Sequence, residues 1–320
     1  MIDPTPLYDF NEVLFVPTKT TLNSRKEVTL ERTIIFSSGT KWTGVPIISA
    51  NMYTTGTFNV HIELAKFKML TALHKFYTLE DFDKNIENIH PEYCIVSIGI
   101  RNVDYELLCS ILDKYTQLKW ICIDIANGYI PNMIEFCEKV RTKYPNHIII
   151  GGNVATPDMT EELCKYVDIV KIGIGPGSVC TTRKMTGVGF PQLSCIMNCS
   201  KEAKKHGKMI VGDGGITCPG DISKAFGGGA EFVMMGGVFA GHDENPGNLV
   251  IIGDKKYKQF YGMSSGLAMK THYGKQDTYR ASEGKVVEVP YKGCLKNTIQ
   301  EYLGGIRSTC TYINAKSLEE

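Results

Sequence analysis

The chain has 320 residues, of which 43% are hydrophobic and 22% are charged, a composition typical of a folded globular protein rather than a disordered one. The 35 Lys and Arg residues nearly balance the 34 Asp and Glu residues, so no overall charge favours nucleic acid or an anionic membrane. No apolar stretch approaches the roughly 18 residues that a membrane span needs. We therefore expect neither nucleic acid nor a membrane as a partner.

Eleven cysteines are present, and the odd number argues against a complete disulfide framework. Most lie in apolar runs or on predicted helices, where a reduced thiol packs as a small hydrophobic group. Only Cys195 and Cys199 are closely spaced, and no paired histidines accompany them, which argues against a zinc site. The amino end lacks the pattern of a secretory signal. These features predict a reduced, cytoplasmic protein.

Eight short apolar runs rich in β-branched residues follow one another along the chain. They predict strands at residues 45–50, 69–74, 94–99, 120–126, 147–153, 169–175, 208–215 and 232–237. Each run is continuously apolar, as expected for strands covered on both faces, and the segments between them have helical periodicity. A doubly wound open sheet is the alternative, but no G-x-G-x-x-G motif supports it. Eight successive βα units favour a closed (β/α)₈ TIM barrel.

We predict one domain over residues 1–320, with residues 1–44 as a lead-in or a plug at the bottom of the barrel. Two long connections interrupt the regular spacing: one follows the sixth strand, and the other, residues 240–289, follows the eighth. Loops that follow strands open at the C-terminal end of such a barrel, where active sites are built. The second connection contains a short extra strand ending near Tyr261 and a polar segment with the composition of a mobile lid.

Glycines at the ends of the seventh and eighth strands predict a phosphate site. Gly214 and Gly215 follow Asp213, and Gly236 and Gly237 end the next strand. Glycines there allow backbone N–H groups to approach a phosphate, and these two loops are the usual phosphate site of this barrel. Tight turns alone are the alternative. Asp213 is suited to accept ribose hydroxyls, so the pattern indicates a nucleotide.

Cys180 differs from the other cysteines because it lies in a loop of Gly, Ser and Thr. A thiolate is a strong nucleophile, and a nearby cation such as Arg183 would favour it. The position of the loop on the predicted catalytic face favours a nucleophile over a structural cysteine. Gly173, Gly175 and Gly177 also leave carbonyl groups available for a monovalent cation.

Together these segments resemble the signature of the IMP dehydrogenase/GMP reductase family. The cysteine loop, residues 173–182, reads GIGPGSVCTT, and residues 213–215 read DGG. The resemblance extends from about residue 9 to residue 318. Three features resemble the reductases within the family. They are the lid sequence YRASEG at 279–284, the continuation RKMTGVG at 183–189, and the absence of an inserted domain after the second strand.

The resemblance implies the NADPH-dependent reductive deamination of GMP to IMP with release of ammonia. Cys180 would attack C2 of the guanine ring, and Thr182 and Glu283 would relay a proton to the departing amine. NADPH would then deliver a hydride to C2 of the covalent thioimidate. The alternatives are an IMP dehydrogenase that lacks the regulatory insert and a purine-nucleotide-binding protein without catalytic activity.

The resemblance also implies sets of binding residues. The substrate set is Ser178, Asp213, Gly214, Gly215, Gly236, Gly237, Gly262, Met263, Ser264, Arg280, Ala281, Ser282, Glu283 and Gly284. The cofactor set is Ser24, Arg25, Lys75, Asp124, Ile125, Ala126, Ile174, Gly175, Met263, Tyr279, Arg280, Ser308, Thr309, Cys310 and Thr311. The potassium set is Gly175, Gly177, Cys180 and Arg183. Because the family forms tetramers, Ser24 and Arg25 would reach the NADPH of a neighbouring subunit of a homotetramer.

Two positions depart from the family pattern. Tyr53 stands where the family usually has an aspartate, and residues 97–101 are bulkier than the small polar run usual after the third strand. The first departure affects the expected details of the site, and the second affects the fit of the cofactor. Neither includes Cys180, Thr182 or Glu283.

Overall fold

The structure, a computed structural model, describes residues 5–261 and 285–320. Nine strands form the main sheet: β1 (Arg32–Ile35), β2 (Lys41–Ser49), β3 (Met69–Ala72), β4 (Cys94–Ile98), β5 (Trp120–Asp124), β6 (Ile148–Val154), β7 (Ile169–Ile172), β8 (Met209–Asp213) and β9 (Phe232–Met235). Strands β2 to β9 are parallel in chain order, and β9 pairs back with β2, where Ile47 lies opposite Val233. The sheet is therefore closed, and the predicted TIM barrel is confirmed.

Helices lie between the strands, as the predicted βα units require. They are α1 (Phe58–Ala65), α2 (Leu79–Asn85), α3 (Asn102–Lys114), α4 (Pro131–Lys143), α5 (Pro157–Cys164), α6 (Thr182–Thr186), α7 (Gln192–Lys205), α8 (Pro219–Gly227) and α9 (Leu295–Tyr312). Local sequence explains several helix starts. Thr57 caps α1, Thr78 and Asp81 form a capping box on α2, and a proline begins α4, α5 and α8. Of the described helices, none combines the length and apolar composition needed to cross a bilayer.

The barrel strands are buried on both faces, which is why their sequences are continuously apolar. Every residue of β6 is buried, for example. The hairpin of β1 and β2 closes the N-terminal end of the barrel with aromatic side chains. Trp120 at the start of β5 packs edge-on against Phe36 and Trp42, with ring centroids 5.5 and 5.7 Å apart. Phe36, Trp42 and Trp120 thus form an aromatic plug at the N-terminal end of the barrel.

The long connection after β9 contains a second sheet. Three antiparallel strands form it: β10 (Val250–Ile252), β11 (Lys255–Tyr261) and β12 (Val286–Pro290). Backbone hydrogen bonds tie the two ends of the connection together, with Asp243 N–H donating to Gly293 O at 3.0 Å. The predicted short strand corresponds to β11, whereas residues 262–284, which include the predicted lid, lie outside the described residues.

Candidate active site

The cysteine loop connects β7 to the short helix α6 at the C-terminal end of the barrel. Gly173 and Gly175 have positive φ values of 143° and 75°, conformations that favour glycine. The N–H of Cys180 donates to the carbonyl of Gly177 at 3.0 Å, which tightens the turn. The Sγ atom of Cys180 lies 3.2 Å from Oγ1 of Thr182. The predicted nucleophile and the predicted proton-relay hydroxyl therefore lie within hydrogen-bonding distance.

The cysteine loop packs against the glycine-rich ends of β8 and β9. A Cβ atom on Gly237 would lie 2.8 Å from Oγ of Ser178, and one on Gly214 would lie 3.1 Å from Cγ of Pro176. Gly236 is equally crowded, because a Cβ there would lie 2.7 Å from a methionine sulfur. These approaches require the small size of glycine. The structure thus brings together the predicted substrate residues of three separate loops.

The segment before the barrel packs beneath the cysteine loop. The Asp9 carboxylate accepts a hydrogen bond from the N–H of Gln192, the first residue of α7, and pairs with the guanidinium of Arg183 at 3.1 Å. Arg183 also donates to the carbonyls of Ile174 at 3.3 Å and Phe190 at 2.5 Å. The sequence predicts that Arg183 favours the thiolate of Cys180. The described hydrogen bonds of its guanidinium are instead made to Asp9 and to two backbone carbonyls.

A buried cluster of charged and polar groups occupies the C-terminal ends of β5 to β8. Lys171 on β7 donates to Asp124 at 2.9 Å, to Asn153 at 2.9 Å and to Asp213 at 2.5 Å. Asn153 on β6 donates to Asp213 at 2.9 Å and to the carbonyl of Gly173 at 2.8 Å. Lys171 and Asn153 are not among the site residues predicted from the sequence. The available signal was a single lysine and a single asparagine inside otherwise apolar strands.

The charges of this cluster stabilise one another. Burial by itself would raise the pKa of Asp124, but the positive charges of Lys171 and Lys75 outweigh burial and hold the pKa of this carboxyl below its ordinary value. Burial would likewise lower the pKa of Lys171, yet Asp124 and Asp213 outweigh it and raise the pKa. The lysine and Asp124 are therefore both charged at neutral pH.

The predicted cofactor residues within the described part of the chain fall into two groups at different ends of the barrel. Lys75, residues 124–126, Ile174 and Gly175 lie at or after the C-terminal ends of β3, β5 and β7. Residues 308–311 lie in the last turns of α9, which packs against the 3₁₀ turn at Arg25–Glu27. Helix α9 begins beside the C-terminal end of the barrel and runs toward the N-terminal end, as helices that follow strands do in this fold. Ser24, Arg25 and residues 308–311 therefore form one surface, distant from the first group.

The two positions that depart from the family pattern have structural partners. The Tyr53 ring stacks on His74 with centroids 5.2 Å apart, and His74 stacks on Tyr77 at 3.8 Å. Arg101 forms an ion pair with Asp104 at 2.9 Å in the first turn of α3. Tyr53 thus belongs to an aromatic stack beside the loop after β3, and the Arg101–Asp104 pair lies at the start of the following helix.

Several predicted site residues fall in the segment 262–284 and lie outside the described residues. They are Gly262, Met263, Ser264, Tyr279, Arg280, Ala281, Ser282, Glu283 and Gly284. The described chain resumes at Lys285, whose N–H donates to the carbonyl of Val179 in the cysteine loop at 2.9 Å. Phe260 on β11 packs against Val179 as well. Both flanks of the segment therefore lie beside the cysteine loop.

All eleven cysteines are free thiols, and Cys180 is among the few that are partly accessible. Within the described part of the chain, no group of three His, Cys, Asp or Glu side chains could hold a metal ion. A cation at this site would therefore be coordinated by backbone carbonyl groups of the cysteine loop. Carbonyl oxygens are common ligands of hard monovalent cations.

The chain is similar to known proteins over its whole length. Residues 7–320 match the family described as IMP dehydrogenase / GMP reductase domain. The chain is 50% identical to GMP reductase 1 of Mus musculus, with 100% of this chain and 94% of that protein covered. It is 51% identical to GMP reductase 2 of Homo sapiens, with 100% and 93% covered. It is 50% identical to GMP reductase of Aeromonas salmonicida, with 97% and 91% covered.

Proposed function

Because the chain belongs to the IMP dehydrogenase / GMP reductase family, we propose that it catalyses the NADPH-dependent reductive deamination of GMP to IMP. The relatives that it matches over nearly their full length carry the name GMP reductase. The observation that carries the proposal is the 3.2 Å separation between Sγ of Cys180 and Oγ1 of Thr182. The loop that holds them packs directly on the glycines that are suited to a nucleotide phosphate.

GMP would bind across the loops at the C-terminal end of the barrel. Backbone N–H groups near Gly214, Gly236 and Gly237 would hold the phosphate, since these glycines leave no Cβ in its way. The described bonds of the Asp213 carboxylate are made at Oδ2, so Oδ1 is available to accept a ribose hydroxyl. Ser178, which lies against Gly237, would add a hydroxyl beside the phosphate. This placement would direct the purine ring toward Cys180.

The chemistry would begin with attack of the Cys180 thiolate on C2 of guanine. The exocyclic amine takes up a proton and leaves C2 as ammonia, which produces a thioimidate between C2 and Sγ. Thr182, which lies next to Sγ, and Glu283 would relay that proton. Glu283 is two residues before Lys285, whose N–H donates to the cysteine loop. Addition of a hydride to C2 and cleavage of the C–S bond then release IMP and restore the thiolate.

When bound, NADPH supplies the hydride. Lys75 and Asp124 would hold it at the C-terminal end of the barrel, and the positive charge of Lys75 acts on Asp124 there. Ser24, Arg25 and residues 308–311 lie near the other end, so they would contact the cofactor of a neighbouring subunit in a homotetramer. This arrangement extends the role inferred for Ser24 and Arg25 to the last turns of α9.

Potassium would be held by the carbonyl groups of the cysteine loop. Positive φ at Gly175 and the turn that joins Gly177 to Cys180 give this loop an irregular backbone of the kind that presents carbonyls to a cation. Arg183, which donates to the carbonyls of Ile174 and Phe190, would stabilise the conformation of this loop. Eleven free thiols support a reducing compartment, and we propose a cytoplasmic location.

The proposal is tested by following the absorbance of NADPH with purified protein and GMP. We expect NADPH oxidation that requires GMP and releases ammonia and IMP. Cys180→Ala should lower kcat by at least about a thousandfold, because it removes the nucleophile. Thr182→Ala should lower kcat by roughly a hundredfold or more, because it removes one member of the proton relay.

The matched control is Cys109→Ala, which removes a cysteine of similar accessibility on α3 and should leave the rate unchanged. A parallel reaction with IMP and NAD distinguishes the alternatives. Formation of XMP and NADH in that reaction alone would identify a dehydrogenase. GMP binding without turnover in either reaction would identify a purine-nucleotide-binding protein.

A further inference from the structure

Lys171 is a buried lysine inside the barrel that the proposed chemistry does not use. It lies on β7, and only 3% of its surface is exposed. Its ammonium group donates to Oδ1 of Asp124, to Oδ1 of Asn153 and to Oδ2 of Asp213, at 2.9, 2.9 and 2.5 Å. These bonds occupy all three donors of a lysine. The position of the ammonium group is therefore defined by two carboxylates and one amide.

The two carboxylates come from strands that are not neighbours. Asp124 ends β5 and Asp213 ends β8, with β6 and β7 between them. Two partly buried carboxylates that share a site disfavour each other's charged form unless a cation compensates them. Lys171 supplies that compensation from the strand between them, which a long side chain pointing into the barrel can do. The lysine thus links the ends of β5 and β8 at the barrel mouth.

The bonds of Asp213 and Asn153 extend the same network to the cysteine loop. Lys171 and Asn153 both donate to Oδ2 of Asp213, which limits the rotation of this carboxylate and leaves Oδ1 outside the described hydrogen bonds. Asn153 also donates to the carbonyl of Gly173, where the cysteine loop begins, at 2.8 Å. The orientation of the carboxylate and the start of the loop therefore depend on one set of hydrogen bonds.

We propose that Lys171 is the positioning residue shared by the substrate and cofactor sites. It orients Asp213 toward the ribose of the purine nucleotide and Asp124 toward the dinucleotide. The inference rests on the proposed function, from which it takes the roles of the two aspartates. Lys171 does not touch the reacting atoms. It acts as a common counter-ion, so its removal changes the affinity for both ligands through charge as well as packing.

The first test is Lys171→Met, which keeps a linear side chain and removes the charge. GMP affinity is measured by titration calorimetry without cofactor, and the KM for NADPH by absorbance at saturating GMP. We expect both to weaken by roughly tenfold to a hundredfold, the usual effect of removing a group that orients ligand-binding residues. The matched control is Lys208→Met, which removes a lysine from Asp168 at the opposite end of the barrel, where Arg141 still pairs with that carboxylate. It should leave both affinities unchanged.

The total charge of the cluster separates an effect of charge from an effect of packing. In Lys171→Met, Lys75 still acts on Asp124, whereas Asp213 loses its described cation.

A double variant, Lys171→Met with Asp124→Asn, restores the total charge of the cluster. It should recover part of the GMP affinity and none of the NADPH affinity, because the cofactor carboxylate is now absent. If Lys171→Met alone does not fold, the double variant is compared with Asp124→Asn. It should then bind GMP more weakly than Asp124→Asn, because Asp213 has lost its cation.

The outcomes distinguish this inference from the proposed function. Wild-type GMP affinity in Lys171→Met, or a GMP affinity of the double variant no higher than that of Lys171→Met, overturns the inference alone. Equal GMP affinity in the double variant and Asp124→Asn does the same. A wild-type chain that binds GMP but oxidises no NADPH overturns the proposed reaction and leaves the role of Lys171 in binding measurable. A wild-type chain that binds no GMP overturns both.

Discussion

Asp9 offers a sharp test of how the lead-in segment supports the cysteine loop. Asp9→Ala removes the acceptor of the N–H of Gln192 at the start of α7 and the partner of Arg183. Loss of a capping acceptor costs about 0.5–2 kcal/mol, and a half-exposed ion pair contributes roughly 0.2–1 kcal/mol. We therefore expect the free energy of unfolding to fall by about 2 kcal/mol, which for a chain of 320 residues lowers Tm by roughly 3 °C.

The same substitution should reduce activity, because Arg183 would no longer be held beneath the loop that carries Cys180. We expect kcat to fall on the order of tenfold, since small displacements of a nucleophile are costly. Thermal unfolding and NADPH oxidation are measured on the same preparations. Asp9→Asn is the control, because its amide oxygen can still accept from Gln192 while the ion pair with Arg183 is lost.

Asp9→Asn should therefore retain most of the thermal stability and show an intermediate rate. An Asp9→Ala protein with unchanged Tm and unchanged kcat would refute the reasoning. If Tm fell and kcat did not, the carboxylate would stabilise α7 without positioning the cysteine loop.

Three further predictions concern a loop, a titrating group and the core. Gly175→Ala should lower kcat on the order of tenfold, because φ is +75° and the new Cβ would lie 2.8 Å from Cγ of Arg183. The control is Gly187→Ala, which has a similar φ of +71° but open space around the new Cβ, and it should leave kcat unchanged. Burial lowers the pKa of His61 from its ordinary value of 6.5 to about 4. The unfolded chain therefore takes up a proton at this histidine before the folded chain does, and the free energy of unfolding falls as the pH falls from 6.5 toward 4. His61→Gln should flatten the fall of Tm over that range, and an unchanged slope would contradict this account. Trp120→Ala should cost about 3–5 kcal/mol in denaturant unfolding, because it empties the aromatic plug, and a loss below 1 kcal/mol would show that the plug does not bear on stability.

The strands were predictable because burial on both faces demands continuous apolar runs. Six of the eight predicted runs contain the whole observed barrel strand, whereas β2 begins earlier, at Lys41, and β6 ends one residue later, at Val154. Several strands end before the predicted run does. The run at 169–175, for example, corresponds to a strand that ends at Ile172. Apolar character continues past that point because Ile174 packs against the core from the loop, although the backbone at Gly173 has already left the strand conformation. Apolar residues indicate burial, and burial continues beyond the last residue that pairs with a neighbouring strand.

Part of the candidate site was predictable for a similar reason. A glycine pattern that allows close backbone approach, and a cysteine outside the apolar runs, are local features that the sequence displays directly. The contact between Cys180 and Thr182 follows from their separation by two residues. Lys171, by contrast, gave no comparable signal, since its partners Asp213 and Asp124 are 42 and 47 residues away.

The amino-acid sequence by itself determined the barrel, the family and the position of the candidate nucleophile, because each depends on periodicity or on a short contiguous motif. Only the tertiary structure decided which charges meet. Closure of the sheet brings Asp124 and Asp213 to the same lysine, and folding of the lead-in segment brings Asp9 to Arg183. It also separates residues 308–311 from the barrel mouth. Electrostatic and hydrogen-bond energies depend on distance in space and on burial, and neither quantity is encoded by neighbouring positions in the chain.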